Sequence, residues 1–299
     1  MKTIIIAGGT GFLGQVLENH FSNSGYSIKI LTRNPTKENH IYWDAETLDK
    51  WTDSLENTKV LINLTGKSVD CRYTAKNKKI IYDSRINSTT ILGKAIQQCK
   101  NPPKLWMNAS TATIYKYSLD KEMTETNGII GDDFSMNIAK SWEKAFNDIE
   151  TPNTRKITLR TSIVLGINGG AFIPLKTLTK IGMGGKQGSG KQKVSFIHEL
   201  DFVRAVAFLI ENQELNGTFN ITVPKPTKNN ILMKILRKEI GIPFGIPQPE
   251  WLLKIGAKII GTEPELVLKS RNVIPERLLI EGFKFKYPTI EKTIKNLIN

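Results

Sequence analysis

The sequence predicts an α/β fold, a doubly wound parallel sheet with a smaller C-terminal lobe. Three observations carry that reading. Short β-branched apolar runs alternate with longer segments of helical apolar spacing through the first 160 residues. A glycine-rich run, Gly8-Gly9-Thr10-Gly11-Phe12-Leu13-Gly14, separates the first such run from the first helical segment. From Pro243 onward the chain is proline-punctuated and helical. Strands separated by helices of this length imply right-handed βαβ crossovers and a sheet covered on both faces.

The elements follow in order. Thr3–Ala7 is a buried strand, β-branched and followed by glycines. Phe12, Leu13, Val16, Leu17 and Phe21 have helical spacing and predict a helix over Phe12–Phe21. Ser27–Thr32 and Val60–Leu64 are strands, Ala75–Cys99 is a long helix, and Lys104–Ala109, Asp133–Ile149 and Lys156–Arg160 continue as strand, helix, strand. Val194–Ile197 and Thr218–Val223 are later strands, each followed by a helix. Further helices are expected at Pro249–Ile260 and Thr289–Ile298. Residues 1–165 are assigned to the sheet domain, completed by later strands near 194–223, and residues 166–299 to the smaller lobe. No flexible linker separates the two.

Composition excludes several classes. The 299 residues are 39% hydrophobic and 23% charged, as in a globular protein and unlike a disordered one. The two cysteines, Cys71 and Cys99, exclude a disulfide framework and a Cys-rich zinc site, and fit a reducing compartment. His20, His40 and His198 include no pair at i, i+4, so no metal site is expected. No apolar run approaches the roughly 18 residues of a membrane span, and the N-terminus lacks a signal-peptide h-region. A cytoplasmic protein with no membrane partner is expected. The net charge of +14 is uneven: +2 over residues 1–150, +8 over 151–250 and +4 over the last 49. The excess reads either as a solvated lysine-rich surface or as a face for an anionic small-molecule substrate. A nucleic-acid partner is not expected, because no basic helix or aromatic stacking platform accompanies the charge.

The glycine run carries the clearest chemistry. Gly8, Gly11 and Gly14 allow, in turn, a tight turn, close approach of a pyrophosphate, and tight packing of the following helix. The helix N-terminus offers free N–H groups and partial positive charge to phosphates. Gly8, Thr10, Gly11, Phe12, Leu13 and Gly14 are therefore candidate cofactor contacts in a Rossmann-type fold. After the second strand stands Thr32-Arg33-Asn34, with no carboxylate to bind a ribose 2′-hydroxyl. Arg33 can instead pair with a 2′-phosphate, which predicts NADP(H) over NAD(H); the alternative is a solvated loop arginine. Asp44 is a candidate to hold the adenine amine, or else a local cap.

With Asn63-Leu64-Thr65-Gly66 and with Ser110 closing Trp106-Met107-Asn108-Ala109, the chain resembles the extended short-chain dehydrogenase/reductase superfamily. The segment RYTAKNKKIIYDSR (Arg72–Arg85) is similar to the RWT…K…I…SR stretch of one atypical subgroup. Thr124-Glu125, Trp142-Glu143, LRTSIVLG (Leu159–Gly166), GGAF (Gly169–Phe172) and the C-terminal Asn272-Val273-Ile274-Pro275 and Gly282-Phe283-Lys284-Phe285 are similar as well. This subgroup comprises NAD-dependent epimerase/dehydratase-like proteins with a characteristic C-terminal segment. The resemblance implies a nicotinamide cofactor and adds Leu64, Thr65, Gly66, Arg85, Thr161 and Ile163 to its candidate contacts; it names no substrate.

The chain also departs from the superfamily, whose members carry Tyr-x-x-x-Lys on the helix before the sixth strand. In that register, counted from Glu143, stand Ser135 and Ala139, and Lys140 is about 100° around the helix. The literal Tyr117-x-x-x-Lys121 lies in a polar stretch. Tyr115, five residues after Ser110, is the candidate general acid, with Ser110 as a hydrogen-bonding partner for the reacting group. Lys78 and Arg85, two turns apart, share a helix face. The loop Gly184–Gln192, with Lys186 and Lys191, is a candidate anion cradle or lid. His198 and Asp201 read as helix-start residues or, less simply, as a catalytic pair. Two functions follow: an NADP(H)-dependent oxidoreductase or epimerase-like enzyme of a small anionic substrate, or a redox-silent NADP(H)-binding sensor. The sequence fixes neither the reaction direction nor the oligomeric state.

Overall fold

A computed structural model describes residues 2–299. Its first half runs β1 (Thr3–Ala7), α1 (Phe12–Asn23), β2 (Ser27–Thr32), β3 (His40–Tyr42), β4 (Val60–Asn63), α2 (Ala75–Gln98), β5 (Leu105–Thr111), α3 (Phe134–Asn147) and β6 (Arg155–Thr161). The second half runs β7 (Ile163–Gly166), β8 (Gly169–Gly170), α4 (Phe172–Leu178), β9 (Lys193–Val194), β10 (Phe196–His198), α5 (Glu199–Glu211), β11 (Gly217–Ile221), β12 (Thr227–Lys228) and α6 (Asn229–Ile240). The last helices are α7 (Glu250–Ile260), α8 (Glu265–Leu268), α9 (Glu276–Ile280) and α10 (Ile290–Ile298).

Seven strands form one parallel sheet in the order β11-β6-β5-β4-β1-β2-β3. The order reverses between β1 and β4, which opens a crevice at their carboxyl ends. β1 is buried on both faces: Ile4 and Ile6 join a core with Leu17, Phe21, Phe202 and Val206, while Ile5 and Ala7 join one with Leu92, Ile96, Trp106 and Phe146. That two-sided burial is why the strand reads as a continuous apolar run. Thr74 caps α2 by accepting from Asn77 N–H at 3.2 Å, and Asp133 caps α3 by accepting from Met136 N–H at 2.9 Å. Among the described residues no helix is long and apolar enough to cross a membrane.

The later strands divide differently from expectation. Gly217–Ile221 completes the main sheet, but the run near 194–197 splits. β9 pairs with β12, and β10 with β7, in two small separate sheets. These cover a third core, with Phe172, Phe196, Leu232, Leu236, Ile290 and Ile294.

His198 and Asp201 tie the C-terminal segment to this framework. The buried Asp201 carboxylate accepts from Lys286 N–H at 2.9 Å and Tyr287 N–H at 2.7 Å, and pairs with Arg204 at 2.7 Å. The His198 ring stacks on Tyr287 with centroids 4.0 Å apart, accepts from Leu200 N–H through Nδ1, and bonds Asn296 through Nε2. Both residues are structural, and the catalytic alternative is set aside. Burial pushes the His198 imidazole down to about 4, from 6.5. The unfolded chain therefore takes up a proton first as pH falls below 6.5, and the stability held by neutral His198 is lost between there and about 4. That loss is about 2 kcal/mol between pH 7 and 5. Thermal melts across this range should show a smaller decline for His198→Asn, which retains a cap acceptor, than for the parent chain.

Candidate functional site

The crevice begins at Gly8, immediately after β1. Gly8 turns left-handed at φ +71°, and its N–H donates to Leu31 O at 3.0 Å. A Cβ there would stand 2.8 Å from Thr65 Oγ1, so the first and third loops of the sheet touch at the switch point. At Gly14 a Cβ would collide with the Gly9 carbonyl, so the first turn of α1 packs on the backbone of its own loop. Gly11, in contrast, faces open space and caps α1 without a side-chain acceptor. The leading N–H groups of α1 thus meet the crevice, in a shape that fits a pyrophosphate. Thr65 Oγ1 is buried here without a hydrogen-bond partner, a second feature that fits a polar ligand.

A cavity of about 400 Å³ extends from this turn across the ends of β4, β5 and β6. Of the residues the sequence singled out, Gly8, Gly11, Phe12, Leu13, Gly14, Leu64, Arg85, Ser110 and Thr161 line it. Thr10 and Gly66 lie in the adjoining loops. Thr32 and Arg33 lie outside it, at the end of β2; Arg33 is exposed. Asp44 closes a local turn, accepting from Glu46 and Thr47 N–H at 2.9 Å each and from Thr47 Oγ1 at 2.6 Å; this is the capping alternative. Ile163 does not reach the cavity and packs on the third core; its neighbour Ser162 lines the wall instead. The Gly184–Gln192 loop also stays away from it, bonded to itself and to Asn229, so the lid expectation fails. Tyr117 is 63% exposed and outside the cavity. Among the described residues no cluster of three His, Cys, Asp or Glu side chains could hold a metal.

Arg85 projects from α2 against Gly66. Its Nη1 donates to Lys67 O at 2.9 Å and Ile81 O at 3.0 Å, and its guanidinium stands 5.0 Å from the Trp142 ring centroid. No carboxylate among the described residues lies within ion-pair distance of it. Burial without a counter-charge pushes its pKa down to about 10. A half-buried cation of this kind, facing a cavity, calls for an anion.

The expected acid, Tyr115, is elsewhere. It is 1% exposed and lies outside the cavity. Its hydroxyl accepts from Arg160 Nη1 at 2.7 Å and donates to Asn220 Oδ1 at 3.0 Å. Arg160 in turn grips Glu143 through two bonds of 2.8 and 2.7 Å, and Glu143 Oε1 accepts from Ser110 Oγ at 2.6 Å. Tyr115 is therefore the far end of a buried chain that starts at Ser110, and burial pushes its phenol up. With both lone-pair and proton engaged, it has none to offer a substrate. Ser110 lines the cavity with its proton donated to Glu143 and its two lone pairs free.

Tyr73 is the tyrosine that sequence reasoning missed. Tyr73 lines the cavity, and its hydroxyl is buried with no partner of good hydrogen-bond geometry. It stands beside Ser135, whose own proton goes to Glu265 Oε1 at 2.6 Å. Its ring meets Phe134 edge-on at 4.9 Å, and its N–H donates to Glu263 Oε1 at 2.7 Å. Residues 262–269 strap this side of the cavity. Glu263 pairs with Arg72 at 3.4 Å, Thr262 bonds Asp70, Lys269 pairs with Asp133, and Leu266 forms part of the wall.

Tyr115→Phe should act on stability. It would leave Asn220 Oδ1 and Arg160 Nη1 underbonded in the interior, at a cost of about 1–3 kcal/mol. Denaturant titration should show that loss with an unchanged m-value.

Comparison with known proteins agrees with this geometry. The model of the NAD dependent epimerase/dehydratase family matches residues 4–133, and that of a domain of unknown function, DUF1731, matches residues 248–297. Epimerase family protein YfhF of Bacillus subtilis is 33% identical over 99% of this chain and 97% of its own length. The structure of human epimerase family protein SDR39U1 (isoform 2) with NADPH superposes with a TM-score of 0.90, at 27% identity and 99% coverage of both chains. A nucleoside-diphosphate sugar epimerase from Corynebacterium glutamicum superposes at 0.81 with 25% identity, over 99% of this chain and 58% of that one. With a parallel sheet reversing at the glycine turn and relatives matched end to end, this chain belongs to the NAD dependent epimerase/dehydratase family, in the branch that carries the DUF1731 segment.

Proposed function

We propose that this chain is an NADP(H)-dependent oxidoreductase or epimerase-like enzyme for a small anionic carbonyl or hydroxyl compound. The observation that carries the reading is one cavity lined by both Arg85, which has no counter-charge, and Tyr73, whose buried hydroxyl has no partner. The Gly8–Gly14 turn and the α1 N-terminus would hold the pyrophosphate, with Thr65 Oγ1 free to bond it or the adjoining ribose. When bound, the nicotinamide supplies or accepts the hydride. Within about 400 Å³ shared with the cofactor's reactive half, and with Leu266 forming part of the wall, a small substrate fits better than a nucleotide sugar.

Each side chain then has a distinct task. Arg85 holds the substrate anion through its free Nε and Nη2. Ser110 accepts from a substrate hydroxyl with a free lone pair. Tyr73 exchanges a proton with the substrate oxygen, and Arg85 stabilises the phenolate that this leaves. Tyr73 stands where the subgroup's pattern reads tryptophan, so this role is assigned to this chain and is not carried over from the family.

NADP(H) preference rests on Arg33, exposed at the end of β2 with no neighbouring carboxylate, and is supported by the NADPH in the human relative's structure. A charge-assisted contact of about 1.5–3 kcal/mol should make NADPH bind at least tenfold more tightly than NADH in calorimetry, and Arg33→Ala should remove most of that gap. Equal affinities in the parent chain would refute the preference.

The chemistry is tested by following NADPH oxidation with a panel of small oxo-acids. Tyr73→Phe should lower turnover by about 10²–10⁴-fold while NADPH affinity stays unchanged. If no panel member is reduced and Tyr73→Phe changes nothing, the redox-silent sensor is the better reading.

A further inference from the structure

The C-terminal half presents an apolar surface that the active site does not use. On α7, Trp251, Ile255 and Ile259 recur every four residues and are 63%, 50% and 80% exposed. The opposite face, around Leu252, Leu253 and Ala257, packs inward. Ile260 extends the stripe at 76% exposure. The chain leading into α7 continues it, with Phe244 and Ile246 exposed at 64% and 50%. Ile246 N–H donates to Gly182 O at 2.9 Å, and the Phe244 ring lies 3.4 Å from where a Gly182 Cβ would stand, next to the exposed Ile181. Phe244, Ile246 and Ile181 thus gather around Gly182, and the α7 stripe follows four residues further along the chain.

The segments that carry it are basic. Residues 173–191 and 242–260 contain six lysines and one carboxylate, Glu250, for a net +5. Glu250 is itself paired with Lys254 at 2.8 Å. An exposed apolar patch of this extent marks a contact surface. A second copy of the chain would bring two such lysine fields face to face. An anionic lipid surface satisfies both features: the stripe enters the boundary between headgroups and acyl chains, and the lysine stems reach back to the phosphates.

We propose that α7, with the adjoining Ile181 and Phe244–Ile246, docks this chain on the surface of an anionic lipid bilayer, the helix lying in the interface plane. The sequence expectation of no membrane partner rested on the absence of a spanning run, and an 11-residue interfacial helix needs none. The surface lies outside the cavity and stands independently of the proposed enzyme activity.

Trp251 gives the test its probe, because the other four tryptophans are 5% exposed or less. The full chain is mixed with vesicles of phosphatidylglycerol and phosphatidylcholine, or of phosphatidylcholine alone. Expected are co-sedimentation with the anionic vesicles only, a blue-shifted emission, loss of acrylamide quenching, and weakening in high salt. The triple variant Trp251→Ser, Ile255→Asn, Ile259→Ser should lower the bound fraction about tenfold with an unchanged melting temperature. Lys180→Glu with Lys258→Glu should do the same and keeps the test open should the triple variant not fold. No binding, or equal binding to neutral vesicles, overturns the proposal. So does a dimer in sedimentation velocity, with Trp251 already shielded from quencher, that the triple variant dissolves.

Discussion

The carboxyl end of the sheet depends on one buried ion pair, Glu143 of α3 with Arg160 of β6, joined by two short bonds. Removing either partner would strand a charge in the interior, so the pair constrains everything bonded to it. Ser110 on β5 donates to Glu143, Tyr115 accepts from Arg160, and Asn220 on β11 accepts from Tyr115. Asn220 N–H in turn donates to Glu125, and its side chain to Ile274 O in the C-terminal segment. Three neighbouring strands, a helix and two loops thereby share one register. The same network decides which hydroxyls are available to chemistry: Ser110 touches the cavity from one end, while Tyr115 is consumed at the other.

This constraint also explains why α3 carries no tyrosine–lysine dyad. Ser135 faces the cavity, but Ala139 is fully buried in a cluster with Ala112, Ile114, Tyr115 and Met123. A lysine at 139 would push its charged end into that cluster. The space is filled by Tyr115, whose position is set by Arg160. At the dyad's other position Ser135 stands beside Tyr73, and both line the cavity. The cation nearby is Arg85 of α2, held by two backbone carbonyls in place of any acid.

Much of the sheet was legible in the sequence because burial on both faces leaves an unbroken apolar run, as in Ile4-Ile5-Ile6 and Val60-Leu61-Ile62. The glycine turn was legible because its steric demands are local: Gly8 needs a positive φ, and Gly14 needs to lack a Cβ. The small sheets of β7 to β10 and β12 were not, since strands of two to four residues are too short to show a period. Tyr115 was misassigned because distance along the chain from Ser110 says nothing about which way a loop side chain turns. Tyr73 was overlooked because part of what holds it, the bond from its N–H to Glu263, spans 190 residues of sequence. The local cap at Asp44 was legible because it closes on Glu46 and Thr47, two and three residues along the chain.

The C-terminal segment joins the two surfaces on which function is proposed. α7 ends at Gly261, left-handed at φ +84°, where the N–H groups of Gly261 and Thr262 both donate to Ala257 O at 2.9 Å. The next residues latch to the rim of the cavity, Thr262 on Asp70 and Glu263 on Tyr73 and Arg72. One residue beyond Pro264, Glu265 takes the Ser135 proton, and Leu266 enters the wall. Downstream, Tyr287 is pinned by Asp201 and stacked on His198, so the segment is anchored at its far end to the rigid framework. The segment is also held ahead of α7, where Gln248 N–H donates to Lys186 O and Gln248 O accepts from Gly188 N–H at 2.8 Å each.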